Sequence, residues 1–154
     1  MIEPFQIIPV DLVALVEDQE SASPIVVLHD RVNNKLLPIW VGDPEARAIA
    51  LALNNMATPR PLTHNLMISV IVAMGGKLSR VVIDRIKNQT YYATLYLETT
   101  TGVVKVDARP SDAIALALSA HIPIFVVKAV MDKAGQENPV PMLFEQSTEP
   151  PAPQ

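Results

Sequence analysis

The 154-residue chain has no cysteine, which excludes disulfide bridges and thiolate metal sites. Charge is scarce as well. Only 18% of the residues are charged, against 49% apolar, so the surface either carries less charge than usual or is partly covered. Cover by self-association is the reading adopted, and a homo-oligomer, a dimer first of all, is expected. No apolar stretch approaches the ~20 residues that span a bilayer, so no membrane is expected as a partner. Met1-Ile2-Glu3-Pro4 leads into no basic segment followed by an apolar run, so no signal peptide is expected and the expected location is cytoplasmic. The net charge of −4 argues against a broad nucleic-acid-binding face, because such faces are normally basic. A local patch drawn from Arg47, Arg60, Lys77, Arg80, Arg85, Lys87 and Arg109 stays open beside the reading of scattered, solvated cations.

The most informative segment present is Asp107-Ala108-Arg109-Pro110-Ser111-Asp112, running into Ala113-Ile114-Ala115-Leu116-Ala117-Leu118. It sets two carboxylates, a guanidinium and a hydroxyl at the mouth of an apolar helix. A helix that apolar is expected to be buried, which would fix its polar mouth against the body of the protein. The same hexamer stands at Ala48–Leu53, behind Asp43-Pro44-Glu45-Ala46-Arg47.

Around these two helices the chain reads as two strand meanders. The first takes Ile7–Val16, Ile25–Leu28 and Lys35–Val41, with a turn at Asn33-Asn34. The second takes Lys77–Ile86, Tyr91–Glu98 and Val103–Asp107, with a tight hairpin at Lys87-Asn88-Gln89-Thr90. In Tyr91–Glu98, Ala93, Leu95 and Leu97 share one face, and Tyr92, Thr94 and Tyr96 the other. Asp43 and Thr63 are the expected N-caps. Leu66, Met67, Val70, Ile71 and Met74 mark one apolar face of a helix that starts at Thr63. Ile124–Val127 is a short strand, and Ala129–Ala134 a helical turn. The class is therefore α+β, with three main helices. The rhyme of the two halves is read as an internal duplication or as coincidence. One domain is expected over residues 1–135. Residues 136–154, with prolines at 139, 141, 150, 151 and 153, are expected to be a largely disordered tail without regular structure.

Three motifs together carry a resemblance. Leu37-Pro38-Ile39-Trp40-Val41-Gly42 with Glu45-Ala46, then Pro59-Arg60-Pro61-Leu62-Thr63-His64, and then Asp107 to Ala117 are similar to the bifunctional nuclease domain family. The resemblance covers about Ile7 to Gly135. It implies a compact α+β domain with a mixed, mostly antiparallel sheet, members that self-associate, and DNase and RNase activity of low sequence preference. No agreed catalytic residues come with it.

Phosphodiester hydrolysis generally uses a positioned water, a metal held by carboxylates and a cation facing the phosphate. Asp107, Asp112, His64 and Asp84 are the candidate catalytic residues, with His64 as a base. Arg60, Arg109 and Ser111 are the candidates for substrate binding, and Asp107, Asp112 and Glu45 for a divalent cation such as Mg²⁺ or Mn²⁺. Each has a plainer reading. Asp112 stands three residues after Arg109, as a capping or salt-bridging acid. Asp107 can pair with Arg109, Ser111 can serve a local hydrogen bond, and Asp84 can be a paired, half-buried acid. Glu45 and Arg47 can pair with the second helix mouth, and Trp40 fits the core or a subunit interface. The alternative function is a non-catalytic oligomeric module for a small anion or a protein partner. Asp107, Arg109 and Asp112 are expected to cluster with the Pro59–His64 connector.

Overall fold

The computed structural model describes residues 6–139. In chain order the elements are β1 (Ile7–Glu17), β2 (Pro24–Asp30), β3 (Lys35–Trp40), α1 (Asp43–Leu53), α2 (Thr63–Ala73), β4 (Lys77–Lys87), β5 (Thr90–Thr99), β6 (Gly102–Ala108), α3 (Pro110–Ala120), β7 (Ile124–Val127), α4 (Lys128–Ala134) and β8 (Gln136–Glu137). The strands form one sheet in the order β6-β5-β4-β7-β1-β2-β3-β8. All neighbours are antiparallel except β4 and β7. The α+β class and the mixed, mostly antiparallel sheet follow.

Both meanders form because β-branched and aromatic runs alternate with short turns. Asn34, Asn88 and Gln89 supply the positive φ angles that these turns need. The two meanders are joined by β7, which α3 delivers from the β6 edge back to a parallel register beside β4: Val81, Val82 and Ile83 lie opposite Ile124, Phe125 and Val126. The sheet curls around α3. Tyr91 on β5 donates its hydroxyl to the Pro38 carbonyl on β3 at 3.3 Å, although four strands lie between the two in the sheet order. Burial pushes the Tyr91 phenol pKa up.

The core is the concave side of this sheet closed on α3. Val26, Leu28, Leu37, Ile83 and Val126 from the strands meet Ala113, Ile114, Leu116 and Ala117, all fully buried. At about 25 cal/mol per Å² of apolar surface removed from water, such a helix is held by packing rather than by propensity.

Several sequence expectations shift. The two helices that share a hexamer are not equally sunk: α1 buries Ala46 and Ile49, while Leu53 is 46% exposed. Helix α2 has no fully buried side chain. Its expected apolar face turns largely outward, with Met74 84% exposed, and the stripe resting on the protein is His64, Ile68 and Ile71 instead. Spacing alone could not choose between two overlapping stripes on a helix apolar almost all round. The caps move by one residue: Gly42 and Leu62 are the N-cap residues of α1 and α2, and no side chain caps either helix. The helical turn at Ala129–Ala134 is a fourth helix. Regular structure also continues past residue 135, because Gln136 and Glu137 pair with Leu36 and Lys35. Asn138 is buried and donates to Asn34 Oδ1 at 3.1 Å. The rest of the expected tail, from residue 140, lies outside the described residues. No helix among the described residues is long and apolar enough to cross a membrane.

Candidate functional site

Both hexamer helices carry an acid at their third helical position, Glu45 in α1 and Asp112 in α3, and Arg109 joins the two. Arg109 is the N-cap residue of α3. Its Nε donates to Asp112 Oδ2 at 2.9 Å and its Nη2 to Asp112 Oδ1 at 3.3 Å. Its Nη1 donates to Glu45 Oε1 at 3.2 Å. Pro110 at the first helical position pre-sets the φ that starts α3. The sunken barrel of α3 then holds this mouth in place.

His64 completes the cluster. Helix α2 rests on Ile68 and Ile71, one and two turns further along the same stripe, and this aims His64 at α3. His64 Nε2 lies 3.0 Å from Asp112 Oδ1. Only 18% of the histidine side chain and 29% of the aspartate side chain are exposed, against 64% for Arg109. Burial by itself would raise the Asp112 carboxyl. The hydrogen bonds from Arg109 and His64 outweigh it and hold the pKa below the ordinary carboxylate value. Asp112, and after it Glu45, raise the Arg109 pKa.

The cluster lines a groove of about 670 Å³, walled by Leu51 of α1, Leu62 and Met67 beside and on α2, and Val106 of β6. That is within the size range of small-ligand sites, with apolar walls and a few convergent polar groups. Arg109 has five N–H donors, and its carboxylate partners take only some of them. The exposed guanidinium can still meet an anion in the groove.

The other candidates are distributed unevenly. Arg47 lines the groove. Ser111 is buried and lines an adjoining hollow with Trp40 and Tyr91, across Glu45 and Arg109 from the groove. Arg60 lies exposed in the connector, outside the groove. Asp107 borders the groove, yet strand alternation sends its side chain with Thr94 to the opposite face of the sheet. Asp84 is on that face too, accepting from Thr94 Oγ1 at 2.5 Å. The expected cluster thus forms around Arg109, Asp112 and His64, with Asp107 turned away. Glu45 and Asp112 converge on a guanidinium and not on each other. Among the described residues no three of His, Asp and Glu group to hold a metal ion, so the set Asp107, Asp112 and Glu45 does not fit one. Trp40 is neither core nor closely covered: it is 52% exposed and donates Nε1–H to Asp18 Oδ2 at 2.9 Å. Sequence reasoning passed over Lys105, which the opposite face brings beside Arg80, Tyr96 and Asp107. Its alternation with Val104 and Val106 was the available signal.

Comparison with known proteins agrees with the motifs. The bifunctional nuclease domain model matches residues 26–139. A Mycobacterium tuberculosis protein described only as uncharacterized is 40% identical over 126 residues, covering 82% of this chain and 75% of its own length. Bifunctional nuclease 1 of Oryza sativa subsp. indica is 30% identical over 69% of this chain, and bifunctional nuclease 1 of Arabidopsis thaliana 31% identical over 68%. The match spans 33% of each of these plant proteins. On the strength of the domain match and these relatives, the chain belongs to the bifunctional nuclease domain family.

Proposed function

We propose that the groove at the mouths of α1, α2 and α3 is the catalytic centre of a nuclease of low sequence preference that cleaves RNA and DNA. The observation that carries this reading is the His64 Nε2–Asp112 Oδ1 contact of 3.0 Å beside the exposed Arg109 guanidinium. In the tautomer that donates Nε2–H to Asp112, His64 Nδ1 keeps a lone pair. Asp112 orients the ring and stabilises the imidazolium that forms when Nδ1 takes a proton. The proton comes from water or from a ribose 2′-hydroxyl as its oxygen bonds to phosphorus, and the imidazolium returns it to the leaving oxygen as the P–O bond breaks. Arg109 faces the phosphate oxygens, where charge builds up. The largely apolar walls offer few groups to read base edges, which fits low sequence preference.

The test uses single-stranded and double-stranded RNA and DNA, with Mg²⁺, with Mn²⁺ and with chelator. Wild type is compared with His64→Ala and Asp112→Asn, folding being checked by circular dichroism. Loss of cleavage in both folded variants is expected. Cleavage that survives in both would refute the reading, and the chelator series decides divalent-cation dependence.

A second reading rests on a different observation: Arg109 is already matched by two carboxylates. This suits a small anion held in exchange, without catalysis. Orthophosphate binding with no turnover by wild type would favour it.

Self-association belongs to the same proposal. Leu66, Met67, Val70 and Met74 leave α2 an exposed apolar ridge, which a second copy of the chain would cover. Light scattering should give a dimer for wild type and a monomer for Val70→Glu.

A further inference from the structure

The convex side of the second meander holds a cleft of about 750 Å³ to which every lining residue is contributed by a strand. Its cations are arranged unlike Arg109. The Arg80 guanidinium lies over the Tyr96 ring, 4.3 Å from the centroid, and Arg85 over Tyr92 at 4.2 Å. The Lys105 ammonium is 5.5 Å from the same Tyr96 centroid. Among the described residues none of these three cations makes an ion pair, whereas Arg109 makes two. Asp84 and Asp107 line the same cleft. Asp84 is engaged by Thr94 rather than by an arginine.

A guanidinium over a tyrosine ring is held there by cation–π attraction, and a guanidinium so held can still stack on a base and donate its N–H groups to a phosphate. Two such pairs and a lysine, side by side on neighbouring strands, match a backbone that alternates phosphate with a stackable ring. The position of Asp107, bordering both this cleft and the His64 groove, shows that the two meet at the β6 edge. One strand bent over that edge reaches from one face to the other.

We infer that the strand-built cleft of Arg80, Arg85, Lys105, Tyr92 and Tyr96 binds a single-stranded nucleic acid segment and leads it over β6 to the His64 groove. This rests on the nuclease reading only for the destination of the strand; binding in the cleft stands apart from it. A single strand is favoured over a duplex because flat stacking platforms need unstacked bases. The division of labour is chemical. The groove neutralises its arginine with two acids and contributes little net attraction for a polyanion, while the cleft keeps its cations unmatched.

The test measures fluorescence anisotropy of labelled 12-mers of uridylate, thymidylate and a DNA duplex, with probe integrity read on a gel from the same tubes. Wild type should prefer both single strands to the duplex. Arg80→Gln and Lys105→Gln should each weaken single-strand binding about tenfold at low salt and flatten the salt dependence by about 0.7 per cation removed. Tyr96→Leu, which keeps an apolar residue on the strand, should weaken binding as well. Lys133→Gln on α4, outside the cleft, should change nothing. Equal affinity in all variants overturns the inference, as does an equal loss in Lys133→Gln. So does a change of oligomeric state in place of a change in affinity, since the face would then be an interface between copies. Wild-type cleavage with cleft-independent binding sinks the cleft and leaves the nuclease standing. Cleft-dependent binding with no cleavage does the reverse.

Discussion

Ala48–Leu53 in α1 and Ala113–Leu118 in α3 are the same six residues, yet they live in different surroundings. In α3 the first five are fully buried; in α1 only Ile49 is. The difference is topological. Helix α3 is the crossover that carries the chain from the β6 edge to β7, inside the curl of the sheet, whereas α1 is laid against α3 from outside. Apolar composition permits burial, and the route of the chain decides it. The mouths differ in the same sense: Asp112 of α3 holds both Arg109 and His64, while Glu45 of α1 holds Arg109 alone.

The largest effect expected from this asymmetry is on hydrolysis. Asp112→Asn should lower the rate by about 10²–10⁴-fold, the usual contribution of a positioned acid–base system. Glu45→Gln, which leaves His64 oriented, should cost far less. Equal losses in initial-rate assays would make the two mouths equivalent and break the comparison. Next comes the core. Leu116→Ala should destabilise by about 2–5 kcal/mol in urea unfolding. Its counterpart Leu51→Ala, at a half-buried position, should cost about 1 kcal/mol. Ile49→Ala and Ile114→Ala, both fully buried, should cost about the same as each other.

A smaller effect concerns pH. Asp112 has a folded-state pKa below its unfolded value, so its stabilising contribution is present above about pH 4, the ordinary carboxylate range. It is lost as pH falls through the lower folded value. As pH falls below about 4 the melting temperature of wild type should therefore fall more steeply than that of Asp112→Asn, and parallel curves would contradict the coupling. The smallest effect is at the exposed end of the shared hexamer. Leu53→Ala should stay within about 0.5 kcal/mol of wild type.

How legible this was in the sequence depended on whether local or long-range physics decided each feature. Strand alternation set Ala93, Leu95 and Leu97 on one face and Tyr92, Thr94 and Tyr96 on the other, and the structure turns the first face to the core. Asn34 and Asn88 marked turns, and the apolar run after Asp112 announced a sunken helix with a fixed mouth. The meeting of Arg109, Asp112 and the connector histidine was readable from that mouth and the Pro59–His64 motif. Helix α2 was misread because its apolar residues circle the axis, and only tertiary docking on Ile68 and Ile71 selects the stripe that bears His64. The outward turn of Asp107 is a parity effect. One residue nearer Arg109, at Ala108, the chain faces the helices; at Asp107 it faces the cleft. Strand β8 escaped because two residues carry no periodicity, and their pairing with Leu36 and Lys35 is set by α4 bringing the chain back across the sheet.

The most direct measurement is a double-mutant cycle on phosphodiester hydrolysis with His64→Ala, Asp112→Asn and the pair combined, each checked for folding. If Asp112 acts by orienting His64, the two work as a unit, and the double variant should be no slower than His64→Ala alone. Losses that multiply, or a wild-type rate no higher than that of the double variant, would contradict a catalytic His64–Asp112 pair.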